Sequence, residues 1–148
     1  MSYRPRVYTA SKIHHYTLWR KMKEDPDWNF VDWTASWVEH KDIGKENDGE
    51  AIDDRVFRHA WIANINDVRD SDFVLLYCGK ENGLKGALIE AGAAIGMNCP
   101  VVAVGLPESH SWALHPLVWR FPSLAEARLY LFRFTVMIPK KQRKSENE

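Results

Sequence analysis

The sequence predicts a three-layer α/β sandwich around a largely parallel sheet of about five strands. Two apolar runs of strand length lead there, Asp72-Phe73-Val74-Leu75-Leu76-Tyr77-Cys78 and Pro100-Val101-Val102-Ala103-Val104, both of the continuous kind found in strands buried on two faces. Between them residues 84–97 have helical character, so strand, helix and strand follow within about 35 residues as a right-handed βαβ unit. The length, 148 residues, suits one domain with its own core.

The other elements follow in chain order. Residues 4–9 (RPRVYT) read as a first strand, and residues 14–23 (HHYTLWRKMK) as a helix closed by Asp25-Pro26, because the residue before a proline avoids helical geometry. Residues 28–34 (WNFVDWT) alternate large apolar with polar side chains, the pattern of a second strand, and residues 35–49 are polar enough for a long loop that serves as lid or rim. From residue 50 to about 70, Ile52, Val56, Ala60, Ile62, Ala63 and Ile65 recur at three- and four-residue spacing, which predicts a long amphipathic helix. Ser123-Leu124-Ala125-Glu126 is a capping-box pattern that opens a last helix running towards Phe134.

Alternating strands and helices favour the strand order of flavodoxin, in which ligands sit beyond the carboxyl ends of the strands. Three loops are therefore expected to converge on a site: residues 9–13, residues 34 onwards, and residues 79–86. Residues 1–138 read as the domain and residues 139–148 as a polar, disordered tail.

Composition narrows the function classes. Twenty basic and 20 acidic residues cancel to a formal charge of zero, which gives no electrostatic footprint for a nucleic-acid polymer or a membrane surface. The first residues, MSYRPRVYTASK, lack the apolar core of a signal peptide, and no apolar run approaches the roughly 18 residues of a membrane span. The expectation is a soluble, cytoplasmic protein. Cys78 and Cys99 sit in or beside apolar strands and read as unpaired core cysteines. His110 and His115 flank Trp112 without any acid or cysteine cluster, a poor metal signature, and no cofactor motif is present. Trp112 and His115 read as a loop after the fourth strand, on the ligand side.

One stretch stands apart, Gly83-Leu84-Lys85-Gly86-Ala87-Leu88-Ile89-Glu90-Ala91-Gly92-Ala93-Ala94-Ile95-Gly96, a nearly apolar helix with a single acid. On a wheel of about 100° per residue, Leu84, Leu88, Ala91 and Ile95 form the predicted core face. Glu90 falls away from it, among Gly83, Gly86, Ala87, Ala93, Ala94 and Met97. Its small neighbours let another chain or a ligand come close. The residues leave two readings open, a solvated helix acid or an acid that reaches a cleft. Gly79, Gly83 and Gly86 match no P-loop but suit a tight loop that turns backbone amides and a helix N-terminus towards a polar or anionic ligand.

Three stretches together resemble the nucleoside 2-deoxyribosyltransferase family and its nucleotide N-glycosidase relatives: Val7-Tyr8-Thr9-Ala10-Ser11, Ser71-Asp72-Phe73-Val74-Leu75-Leu76-Tyr77, and Gly86-Ala87-Leu88-Ile89-Glu90-Ala91-Gly92-Ala93-Ala94 running into Cys99-Pro100-Val101. Residues 111–127 are also similar to the end of small phage and bacterial members. The resemblance implies a flavodoxin-like fold, no metal or cofactor, a nucleoside or nucleotide substrate, and a homo-oligomer whose sites are completed by a neighbouring subunit. It implies that Glu90 is the nucleophile that attacks the anomeric carbon, as a carboxylate can do by stabilising an oxocarbenium-like transition state and collapsing onto it. Tyr8 then corresponds to the first-strand aromatic that holds the nucleophile or packs on the substrate.

Further positions follow from the same comparison. Ser11 either binds a hydroxyl or phosphate, as in the nucleotide-hydrolysing relatives, or caps its loop, and Trp37 either stacks on a base or packs at the rim. Asn64 occupies the position of a sugar-contacting aspartate, and Leu84, six residues before Glu90, that of a base-contacting aspartate. Asp67 or Asp70 are stand-ins for the missing acid, or solvated helix-end carboxylates. His14 and His15 open the first helix near the expected site, either as proton donors to a leaving base or as surface residues. Three function classes follow: cleavage or transfer at the N-glycosidic bond of a deoxynucleoside or its monophosphate, a catalytically inactive nucleotide- or nucleoside-binding module, and an interaction protein that uses its tryptophans on a partner surface.

Overall fold

In the computed structural model, which describes residues 3–39, 54–79 and 84–137, five strands form one sheet. They are β1 Arg6–Ala10, β2 Asp32–Trp33, β3 Phe73–Tyr77, β4 Val101–Val104 and β5 Val118–Phe121. Their order is β2-β1-β3-β4-β5 and every pairing is parallel, with Tyr8 beside Val74, Val74 beside Val101 and Val101 beside Val118. This is the expected flavodoxin-like order, with its switch point between β1 and β3. Parallel neighbours need crossover helices, and the chain supplies α1 Tyr16–Glu24, α2 Asp54–Arg69, α3 Gly86–Gly96 and α4 Leu124–Met137.

Side-chain contacts assign the layers. Phe73 meets Phe134 of α4 and Tyr77 meets Trp19 of α1, so the odd-numbered residues of β3 face those two helices. Val74 and Leu76 point to the opposite face, which α3 covers beside α2. Tyr8, in register with Val74, shares that face. The central strands are buried almost throughout, which is why β3 and β4 read as unbroken apolar runs.

Two parts of the sheet differ from the sequence reading. Residues 28–34 contain only a two-residue edge strand, preceded by a 3-10 turn at Pro26–Trp28 that Asp25 caps by accepting from the Asp27 N–H at 2.9 Å. Their apolar alternation comes from an aromatic cluster instead: Trp28 stacks on Phe30 and touches Trp33, and Phe30 meets Phe132 of α4 edge-on. The fifth strand, unplaced in the sequence, is the edge strand Val118–Phe121, where only Val118 is buried and Trp119 and Arg120 are exposed, so it lacks an apolar run.

The last helix starts where the capping pattern put it, with the Glu126 N–H donating to Ser123 Oγ at 3.3 Å. Cys78 and Cys99 are free and buried. Among the described residues no helix is long and apolar enough to cross a membrane. Most of the expected loop at 35–49 and the whole tail at 139–148 lie outside the described residues.

Candidate functional site

The buried face of α3 is Ala87, Glu90, Ala91 and Ala94, a stripe at three- and four-residue spacing. The wheel reading that put Glu90 off the core face is thereby corrected. Alanines let the helix backbone settle close to the sheet, and Leu88 and Ile95 pack at the flanks as partly buried residues. At its start, Gly86 lies under the Trp61 indole of α2, where a Cβ would stand 3.0 Å from the ring. At its end, Asn98 takes the left-handed conformation (φ 60°), with Cys99 N–H donating to Ala94 O and Asn98 N–H to Ile95 O, a Schellman motif. Both ends fix the roll of the helix, and with it the direction of Glu90.

Glu90 is 7 % exposed and faces the side of the sheet that carries Tyr8, which has no exposure at all. Neither Tyr8 Oη nor Glu90 Oε2 has a hydrogen-bond partner among the described residues. The two groups are close enough for the tyrosine hydroxyl to favour the carboxylate, yet they are not aligned as a hydrogen bond. Burial dominates and pushes the Glu90 carboxyl up to about 7, with Tyr8 pulling it partly back. Burial also pushes the Tyr8 hydroxyl far above its ordinary range, followed by the charge of Glu90, its hydrogen-bonding reach, and the charge of Asp67.

An unpartnered buried polar group costs about 1–3 kcal/mol, and native proteins carry few of them. Two facing each other beside the β1–β3 switch point mark this place as the candidate active site. A carboxyl poised near neutral pH is available there both as an acceptor and as a nucleophile.

Of the three expected loops, the first two meet directly, and the described start of the third meets the turn that precedes α1. Trp37 follows β2 and sends its indole N–H to the Thr9 carbonyl at 2.8 Å. Gly79, after β3, lies against the His15 ring, whose Nε2 would stand 2.7 Å from a Cβ at that position. Ser11 accepts from the Trp19 indole N–H at 2.8 Å and donates to the Lys12 carbonyl at 2.9 Å. Trp37 is 8 % exposed, so its ring is a wall of the fold at the end of β1.

Leu84 is buried just before α3, and Gly83 lies outside the described residues. Asn64 is half-buried on α2, one turn after Trp61 and four residues before the buried Val68, hence on the side turned to α3. His110 accepts from the Trp112 indole at 3.1 Å and His115 from the Leu117 N–H at 3.0 Å, so one ring nitrogen of each is committed to its own loop.

Asp67 is the residue the sequence undervalued. Its Oδ2 accepts from the Ser36 N–H at 3.0 Å and the Ser36 hydroxyl at 2.6 Å, and its charge reaches Tyr8. The available signal was its place three residues after Asn64 and one before Val68, on the inward side of α2. Asp70 is exposed.

Two open clefts lie elsewhere. One of about 630 Å³ at the amino end of β1 and β2 is lined by Arg4, Lys23, Trp28 and Trp33, and one of about 400 Å³ beyond β3 and β4 by Tyr77, Cys78, Gly105 and Ser123. Neither is lined by Glu90 or Tyr8. Among the described residues no group of three or more His, Cys, Asp or Glu is placed to hold a metal ion.

No family model and no curated protein matches the sequence. Among solved structures the chain is similar to a CMP N-glycosidase of Clostridium botulinum, with 16 % identity, 88 % of this chain and 98 % of that one covered, and a TM-score of 0.48. It is also similar to a conserved protein of Enterococcus faecalis V583, with 12 % identity, coverage of 90 % and 89 %, and a TM-score of 0.48. What the site can do rests on its own residues.

Proposed function

We propose that this chain cleaves, or transfers at, the N-glycosidic bond of a deoxynucleoside or deoxynucleoside monophosphate, with Glu90 as nucleophile. The observation that carries the reading is the buried Glu90 carboxyl, with an unpartnered oxygen, facing the equally unpartnered Tyr8 hydroxyl beside the β1–β3 switch point. The resemblance of the stretches around Tyr8 and Glu90 to deoxyribosyltransferases supports it. In the reaction, a carboxylate oxygen of Glu90 bonds to the anomeric carbon as the carbon–nitrogen bond breaks, and the electron pair of the broken bond leaves with the base, which takes a proton from water. Water or an acceptor base next displaces the sugar from the ester, with net retention.

Burial and the charges of Glu90 and Asp67 keep Tyr8 protonated, so its hydroxyl stays a hydrogen-bond donor within reach of the Glu90 carboxylate. The exposed apolar residues Val56, Phe57 and Ile62 of α2 and Ile89 of α3 support a homo-oligomer, which light scattering checks by a mass above that of one chain. The functional test is incubation with each deoxynucleoside and each deoxynucleoside monophosphate, with and without an acceptor base, against Glu90→Ala. Base release or exchange by wild type alone is expected. No release above the variant's background sinks the enzyme reading, and saturable binding without turnover assigns the chain to the inactive-module class.

A further inference from the structure

We propose that Asp67 is a positioning residue for the Tyr8–Glu90 pair, acting as a clamp that fixes the segment after β2 against the end of β1. This rests on the N-glycosidic reading for its functional consequence. The clamp consists of short contacts in a chain. Asp67 Oδ2 takes both donors of Ser36, at 3.0 and 2.6 Å, and the Asp67 carbonyl accepts from Ser71 Oγ at 2.6 Å. Ser71 Oγ lies 2.6 Å from Thr34 Oγ1, so the segment is held at two points, Thr34 and Ser36.

Trp37 comes next in the chain, and its indole N–H reaches the Thr9 carbonyl at 2.8 Å. Thr9 adjoins Tyr8 in β1, so the Asp67 side chain bears through Ser36 on the segment that buttresses the strand carrying Tyr8, beside the Thr34 N–H bond to the Val7 carbonyl at 3.0 Å. The Asp67 carboxylate is also near enough for its charge to bear on the Tyr8 hydroxyl. A charge-assisted double acceptor of this kind is worth more than a neutral contact. An asparagine keeps an acceptor oxygen for Ser36, and an alanine keeps none.

The test compares Asp67→Ala and Asp67→Asn with wild type in three measurements. Two need no substrate: the Trp37 indole N–H resonance, identified by its loss in Trp37→Phe, and the titration midpoint of the Glu90 side-chain carboxyl carbon. The third is base release from the deoxynucleoside panel above. Asp67→Ala is expected to move the Trp37 resonance and the Glu90 midpoint and to lower kcat by about tenfold to a hundredfold, the range for a misplaced catalytic group. Asp67→Asn restores all three.

An unmoved Trp37 resonance or Glu90 midpoint in Asp67→Ala, unchanged base release, or an asparagine variant as impaired as the alanine one overturns the clamp. If wild type releases no base, the proposed function fails and the two substrate-free measurements decide the clamp.

Discussion

Replacing Glu90 by glutamine tests the burial of its charge without any substrate. In the unfolded chain the carboxyl loses its proton near 4.5, and in the folded protein it holds it to about 7. Between those values the native state binds more protons than the unfolded state, so the stability from this group is full below 4.5 and is lost as pH rises through 7. At about 1.4 kcal/mol per pH unit, wild type should lose about 3 kcal/mol over that window. Glu90→Gln has no proton to lose and should lack this component, while every other titrating group is shared. The fixed cost of burying an amide cancels when the pH dependences are compared.

Urea unfolding of both proteins from pH 4 to pH 8.5 measures the difference. With an m-value of about 2 kcal/mol/M, the glutamine variant should gain roughly 1.5 M in relative midpoint across the series. Parallel curves, within the roughly 0.5 kcal/mol typical of a surface substitution, would refute the burial of the charge. They would place Glu90 on the solvated side of α3.

Tyr8→Phe removes a hydroxyl that favours the Glu90 carboxylate. The Glu90 midpoint should rise, and base release at neutral pH should fall, because a larger share of the carboxyl then holds its proton. A midpoint that stays or falls contradicts the pairing. Gly105→Ala addresses the scaffold: Gly105 has φ +76°, and a Cβ there would lie 2.6 Å from the Cys78 carbonyl oxygen. Left-handed backbone alone costs about 1–2 kcal/mol for an alanine, so a Tm drop of about 4 °C or more is expected. An unchanged Tm would mean that this turn is not as described.

The sheet's centre was legible because strands buried on both faces leave runs such as Phe73–Tyr77 and Val101–Val104 that have no polar alternative. Its edges were not. Val118–Phe121 shows one buried residue, and the aromatic spacing of residues 28–34 serves contacts with α4 rather than a ladder. Within the site, the identity of Glu90 as the unusual acid came from the sequence alone, but its direction did not. A wheel assigns the largest apolar residues to the core, whereas α3 uses alanines there to approach the sheet, and the glutamate sits among them. Asp67 was readable as one carboxylate on α2, and only the fold brings Ser36, 31 residues away, onto it.

A carboxylate nucleophile at Glu90 leaves its mark on the pH dependence of kcat/KM for base release, because that ratio reports the free enzyme's essential groups. A nucleophile with a proton held to about 7 predicts a rate that rises through pH 7 and then levels, with the rising limb displaced upward in Tyr8→Phe. A rate that is maximal at low pH and falls through 7 would mean that the reaction needs Glu90 protonated, and would rule out the carboxylate as nucleophile.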